Sequence, residues 1–278
     1  MTTYEAMLKD AYLEKRECVI DFPNWLLSPD KIRGYKSLPG LAIVEMAGRD
    51  SVAAAIRAAS EGEYTDFIPT YAYTGTEYGD WESVTEAVDR LSERLPGIRV
   101  HELVVLGSTR FWQALNGRFM AEMISRYQFF TPCIGCHFYL HAVRISLSIL
   151  LGRAPIIAGE RELHDGAVKV NQAPPALDGY KALLREFDVP LILPLRRIEK
   201  GKQIEEILGF KWAQDKEQLG CVLSGNYRKL NSEVDIVGYQ IQRYVKEFAL
   251  PVSRNLVKAY VEGRIPDHLQ VAADLLRS

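Results

Sequence analysis

At 278 residues, 47% of them hydrophobic and 25% charged, the chain has the make-up of an ordinary globular protein able to bury a sizeable core. Its 34 lysines and arginines against 36 aspartates and glutamates leave a net charge of −2. That balance argues against nucleic-acid binding driven by overall charge, while leaving a local basic face open. No N-terminal stretch reads as a signal peptide and no apolar run reads as long enough to span a bilayer, so a cytoplasmic protein without membrane contact is expected. In that compartment Cys18, Cys133, Cys136 and Cys221 read as metal-binding, redox or buried thiols rather than a disulfide framework.

Residues 3–18 place Tyr4, Met7, Leu8, Ala11 and Tyr12 at helical spacing, which predicts an amphipathic helix on which Cys18 is a small buried residue. Residues 22–40, with Pro23, Pro29, Gly34, Pro39 and Gly40, read as a connector of short turns. Residues 1–40 are therefore expected to form an N-terminal helical appendage. Residues 41–59 are an apolar run that turns at Ala47-Gly48-Arg49 and restarts as an alanine-rich helix. A strand is expected at 67–73 despite Pro69, a helix at 80–95, a buried strand at 100–106 and helices at 114–127 and 138–151. Strands at 154–158 and 189–195 then alternate with helices at 180–187 and 202–208.

The alternation predicts an α/β protein, with a doubly wound, mainly parallel, Rossmann-like sheet spanning residues 41–227. Beyond it, residues 228–278 read as a C-terminal helical region. Val234, Val237, Ile241, Tyr244, Val245 and Phe248 make an apolar stripe there, which Pro251 is expected to end. The stripe suits either this chain's own core or a second copy in a homodimer. Arg196, Arg197, Lys200, Lys202, Lys211, Arg228 and Lys229 form a basic set, but the interspersed Glu199, Glu205 and Glu206 make a solvated surface the simpler reading.

In open sheets of this kind ligands bind at the carboxyl ends of strands near the point where strand order reverses. The turn at residues 46–51 occupies such an end, and a small-residue turn opening a helix is suited to phosphate. The plain alternative is a strand-to-helix connection capped by Asp50 or Ser51. Two further segments suit the same edge: residues 70–74, with Thr70 and Tyr71, and residues 159–165, with Gly159, Arg161 and Asp165. Their groups fit a nucleotide with magnesium, Arg161 serving phosphate and the Asp50 and Asp165 carboxylates a hard cation. Asp165-Gly166 also reads as an ordinary turn.

Strand, glycine-containing turn, Asp-Ser and helix, then Cys-x-x-Cys, an arginine-bearing helix and a later strand running into Gly-x(5)-Asp, together resemble the PP-loop ATP pyrophosphatases. These belong to the adenine-nucleotide alpha-hydrolase superfamily, whose fold is of the HUP type. The resemblance covers about residues 41–227. Met46, Ala47, Gly48, Arg49, Asp50 and Ser51 match the family's Ser-Gly-Gly-x-Asp-Ser, keeping its last Gly, Asp and Ser. It implies an ATP-binding enzyme that adenylates an acceptor and releases pyrophosphate. Ala47, Gly48 and Ser51 would then cradle phosphate, Arg49 would add a charged contact, and Asp50 would help hold Mg2+. Asp165 matches the family's acidic position after its Gly, and Arg144 on the apolar helix matches an arginine that reaches phosphate; a solvated or salt-bridged side chain is the alternative for Arg144.

Cys133-Ile134-Gly135-Cys136 places two thiols at a turn beginning with Pro132, a spacing that lets both grip one metal, and Cys221 is the third partner nearest the core's end. Sulfur-transferring PP-loop enzymes of the tRNA-thiolation type show a similar layout. By that resemblance Cys133, Cys136 and Cys221 would hold a [4Fe-4S] cluster, with a tRNA nucleoside or a small molecule as acceptor and a separate sulfur donor. Zn2+ on the three cysteines plus His137 or His141 is the rival. The Cys-x-x-Cys-His haem pattern is disfavoured, since no export signal is visible. An ATP-dependent C–N ligase with structural zinc and a nucleotide-binding module without turnover remain the alternatives.

Overall fold

A computed structural model describes residues 27–213 and 217–277. The helix expected over residues 3–18, and Cys18 with it, lies outside the described residues. The first described helix, α1 (Pro29–Lys36), replaces the expected connector. Ser28 caps it through a bond from the Lys31 N–H, and Pro29 stands in the first turn, where its missing N–H costs nothing.

Six parallel strands form the central sheet, in the order β4-β2-β1-β6-β7 with β5 continuing beside β2 beyond β4. They are β1 (Leu41–Glu45), β2 (Asp66–Tyr73), β4 (Arg99–Val100), β5 (Val104–Gly107), β6 (Ile156–Ile157) and β7 (Leu191–Ile192). The period-2 side-chain alternation divides two cores between the faces. Leu41 and Ile43 of β1 enter one core, while Ala42 and Val44 enter the other. The first face is covered by α4 (Thr109–Asn116), α5 (Met120–Tyr127), α6 (Pro132–Leu150) and α7 (Pro174–Arg185). On the second lie α2 (Arg49–Glu61), α3 (Glu82–Arg94) and α8 (Gly201–Leu208). The fold is thus the α/β, doubly wound, parallel arrangement that the sequence predicts.

The differences from the sequence reading have local causes. Pro69 is tolerated inside β2 because its missing N–H faces the gap between the Phe67–Val100 and Thr70–Val104 pairings. The single strand expected at 100–106 is split there into β4 and β5. Gly117 ends α4, so the helix expected over 114–127 becomes two. Helix α6 starts at Pro132, six residues earlier than its apolar pattern suggests. It also corrects the expectation that no segment is long and apolar enough to cross a membrane: α6 is, by length and composition, though 78% of that window is buried inside the fold.

The C-terminal helices are α9 (Gly238–Tyr244), α10 (Leu250–Val261) and α11 (His268–Arg277). Ile241, Tyr244, Val252, Leu256 and Ala272 join the same core as α6. Pro251 does not end the helix. A π-helical turn, Val245–Ala249, precedes it and widens the ladder where the proline ring would meet the preceding turn. A two-stranded antiparallel sheet, β3 (Glu77–Tyr78) with β8 (Gly220–Cys221), lies apart from the main sheet.

Candidate functional site

Strand order reverses at β1 and β6, which lead outward to β2 and β7, so the carboxyl ends of these two strands frame a crevice. Met46 is buried in the core beneath α2, and Ala47 and Gly48 turn the chain into that helix. Ser51 Oγ accepts from the Ala47 and Gly48 N–H groups, each at 3.0 Å, and donates to the Gly48 carbonyl at 2.6 Å. The next N–H, of Arg49, donates to Gln218 Oε1 at 3.4 Å. Three successive amides therefore meet side-chain oxygens, partners that an anion's oxygens can replace at a helix N-terminus. A Cβ at position 48 would come within 2.6 Å of Gln218 Oε1 and 2.8 Å of Gln218 Cβ, so a side chain there would have to displace Gln218.

From the other strand, Gly159 presses on the same turn. A Cβ on it would lie 2.5 Å from the Asp50 carbonyl carbon and 2.7 Å from the Ser51 nitrogen. The Asp50 carboxylate is held between two guanidiniums, Arg49 Nε at 2.8 Å from one oxygen and Arg161 Nε at 2.9 Å from the other.

These elements open on a cavity of about 330 Å3. Its walls include the turn from Ala47 to Ser51, Gly159 and Glu160 after β6, Lys169, and the thiols of Cys133, Cys136 and Cys221. The three cysteines and the phosphate-suited turn, about 80 or more residues apart in sequence, thus share one space. Cys133 and Cys136 are on the first and second turns of α6 rather than in a loop, since Pro132 is its opening residue. Cys221 is brought opposite them by its pairing with Glu77, and its Sγ lies 3.3 Å from Thr76 Oγ1. All three are free thiols. Burial pushes Cys133 up to about 12, with Cys221 adding to the effect, and burial raises Cys136 as well. Such thiols stay protonated unless a cation takes the proton's place.

Along the cavity wall and into the core behind it runs a buried polar network in which His137, His141 and Arg144 meet two glutamates that the sequence reading passes over. His137 Nδ1 lies 2.6 Å from Glu160 Oε1, and His141 lies 3.4 Å from Glu160 and 3.1 Å from Glu45. Glu45 Oε2 is 3.1 Å from Arg144 Nη1. Burial opposes ionisation of both glutamates, but Arg144 and His141 hold Glu45 below the usual carboxylate range, and His137 and His141 do the same for Glu160. Lys169 lines the cavity, where burial lowers its ammonium against the pull of Asp50.

Arg144, expected to reach phosphate, is 1% exposed and spends its guanidinium on the fold, as the salt-bridged alternative has it. Its Nε donates to Thr70 Oγ1 at 2.7 Å, Nη2 donates to the Thr70 carbonyl at 3.1 Å, and Nη1 donates to the Leu140 carbonyl. Thr70 in turn donates to the Val44 carbonyl at 3.0 Å, and Tyr71 lies 3.1 Å from Glu77. Asp165 is at the centre of a tight turn, with positive φ at Asp165 and Gly166, and its carboxylate accepts from the Gly201 N–H at 2.9 Å, capping α8. None of Thr70, Tyr71, Arg144, Arg161 or Asp165 lines the cavity, whereas Glu45, Glu160, Lys169 and Gln218, which sequence reasoning passes over, do. Gln172 and Asn171, one turn before α7, complete the wall near Glu160.

Fold and crevice together define a doubly wound α/β protein with a cavity at the reversal of strand order. The chain is 39% identical over 244 residues to the uncharacterized protein MJ0009 of Methanocaldococcus jannaschii, an alignment covering 85% of this chain and 86% of that one, and it belongs to that protein's family. No protein-family model matches it. The solved structure of the U34-tRNA thiolase NcsA from Methanococcus maripaludis with its [4Fe-4S] cluster superposes over 98% of this chain and 80% of that chain, with a TM-score of 0.37 and 14% identity.

Proposed function

We propose that this protein binds ATP in the crevice between β1 and β6, adenylates an acceptor with release of pyrophosphate, and uses Cys133, Cys136 and Cys221 for sulfur transfer. The observation that carries this reading is the single cavity walled both by the turn from Ala47 to Ser51 and by the three thiols. An acceptor oxygen attacks the α-phosphorus, and the bond to pyrophosphate breaks. A sulfur nucleophile then takes the acceptor carbon, and AMP leaves with the oxygen. Such chemistry asks the protein chiefly for a cradle and for positive charge where the leaving group departs. The Gly48 and Arg49 amides supply the cradle, and Lys169 supplies charge within the cavity. Asp50 would help hold Mg2+ on exchanging one of its two arginine partners.

Three free thiols on one cavity fit the donor set of a [4Fe-4S] cluster with one iron left without a protein thiolate. Cys133, Cys136 and Cys221 would hold it, and its chemistry would be the binding of sulfide. A tRNA nucleoside is the first acceptor to test and a small molecule the second; the sulfur donor is a separate molecule.

A nucleotide-binding module without turnover is the second reading, favoured by the two arginines on Asp50 and by Gln218 against the turn. Anaerobic purification followed by iron, zinc and sulfide analysis tests the thiol assignment. About four iron and four sulfide per chain are expected. Stoichiometric zinc without iron or sulfide would overturn it and favour a ligase with structural zinc.

A further inference from the structure

We infer that His137, His141 and Glu160 form a binding site for one divalent transition-metal ion of zinc's class, separate from the three cysteines. His137 and His141 are four residues apart on one face of α6, and Glu160 follows β6 directly after Gly159. One donor atom from each lies within 4.8 Å of the other two. An ion with bonds of about 2.0–2.1 Å in tetrahedral geometry sets its donors about 3.3 Å apart. The 3.4 Å separation between His141 Nε2 and Glu160 Oε1 matches that spacing, and the 2.6 Å pair of His137 Nδ1 with Glu160 Oε1 has to open slightly.

The groups behind these donors are arranged as metal-bound histidines require. A ligating imidazole presents its second nitrogen to an acceptor, which fixes the ring and its tautomer. His141 turns Nδ1 to Glu45 Oε2 at 3.1 Å, leaving Nε2 for the ion. His137 turns Nε2 to the side-chain amide of Asn171, 2.8 Å from its Nδ2; a flip of that amide, which exchanges its oxygen and nitrogen, presents the acceptor that a ligating His137 needs. Glu160 is held through Oε2 by Gln172 Nε2 at 2.5 Å, which leaves Oε1 for the ion. His141 is fully buried, yet neither ring nitrogen makes a hydrogen bond of good geometry. A buried polar ring in that condition costs stability unless something else meets it.

Two histidines and one carboxylate are a donor set suited to zinc or ferrous iron, and three protein ligands leave a position open. His137 and Glu160 also line the cavity, so the open position gives onto the same space as the turn from Ala47 to Ser51. An ion there would act as a Lewis acid on an oxygen of whatever the cavity holds. The site stands independently of the sulfur-transfer reading, because it uses none of the thiols.

The test is a Co2+ titration of the full-length chain carrying Cys133→Ser, Cys136→Ser and Cys221→Ser, with folding checked by circular dichroism. One equivalent should bind with visible d–d bands and no thiolate-to-metal charge transfer. Asn171→Ala in that background should weaken binding about 10- to 100-fold, and His137→Ala should abolish it. If the triple variant does not fold, metal analysis of the wild-type chain replaces it: His137→Ala should lose one divalent ion and leave the metal held by the cysteines unchanged. A folded triple variant that takes up no Co2+, or metal content unmoved by His137→Ala, overturns the site and leaves an ion-pair network in its place.

Discussion

Gly159 lies so close to Asp50 that a side chain on it would occupy the space of the Asp50 peptide group, 2.5 Å from its carbonyl carbon. The contact joins the segment after β6 to the turn after β1, and backbone atoms have no rotamer by which to move aside. Gly159→Ala is therefore expected to destabilise the fold by about 1–3 kcal/mol, the usual cost of overpacking. Gly97, which has open space around it and no positive φ, supplies the control: Gly97→Ala should leave the midpoint of urea unfolding nearly unchanged. Equal midpoints for the two variants would show that the crevice yields easily.

Arg144 and Glu45 make a second case in which the partner left behind decides the outcome. Removing the guanidinium leaves Glu45 buried with one fewer cation. Arg144→Met is expected to cost about 3–5 kcal/mol. Pairing it with Glu45→Gln should recover part of that loss, and a double-mutant cycle in urea should give a coupling within about 0.5–3 kcal/mol. Simple additivity would contradict the pairing.

His164 gives the fold an acid-sensitive point outside the cavity. Burial, with Lys169 and Arg161 nearby, lowers its ring to about 4, the bond to the Arg161 carbonyl and the charge of Asp50 opposing. An unfolded histidine titrates near 6.5. Below that pH the unfolded chain binds a proton that the folded chain refuses, so this contribution is fully present above about 6.5 and is lost as pH falls toward 4. His164→Gln should lose less stability than the wild type between pH 7 and pH 4. Parallel stability profiles would contradict the assignment.

The turn at Ala47 to Ser51 and its place at a strand end were legible because small residues between an apolar strand and an alanine-rich helix leave few other solutions. Cys221 was legible as a partner of Cys133 and Cys136 only by scarcity, since its arrival depends on β8 pairing with β3. Glu45 and Glu160 were illegible for a different reason. Each stands at or just past the end of a buried strand, where a lone acid reads as the edge of the sheet, and its partners come from α6, about 100 residues later for Glu45 and about 20 earlier for Glu160. For Arg144 the position on α6 was clear, but sequence spacing did not reveal that Thr70 and Glu45 would receive its guanidinium. The π turn before Pro251 likewise answers to packing rather than to pattern.

The central claim, that the crevice cradles ATP for adenylation beside the thiols, is tested most directly by pyrophosphate release from ATP under anaerobic conditions, with unfractionated tRNA and then small-molecule acceptors. The protein is expected to release pyrophosphate with one acceptor class, and Asp50→Asn, folded by circular dichroism, to lower the rate at least about 100-fold, as loss of a key charge-stabilising group does. An ATP pool left intact with every acceptor, or turnover unchanged in Asp50→Asn, would contradict it.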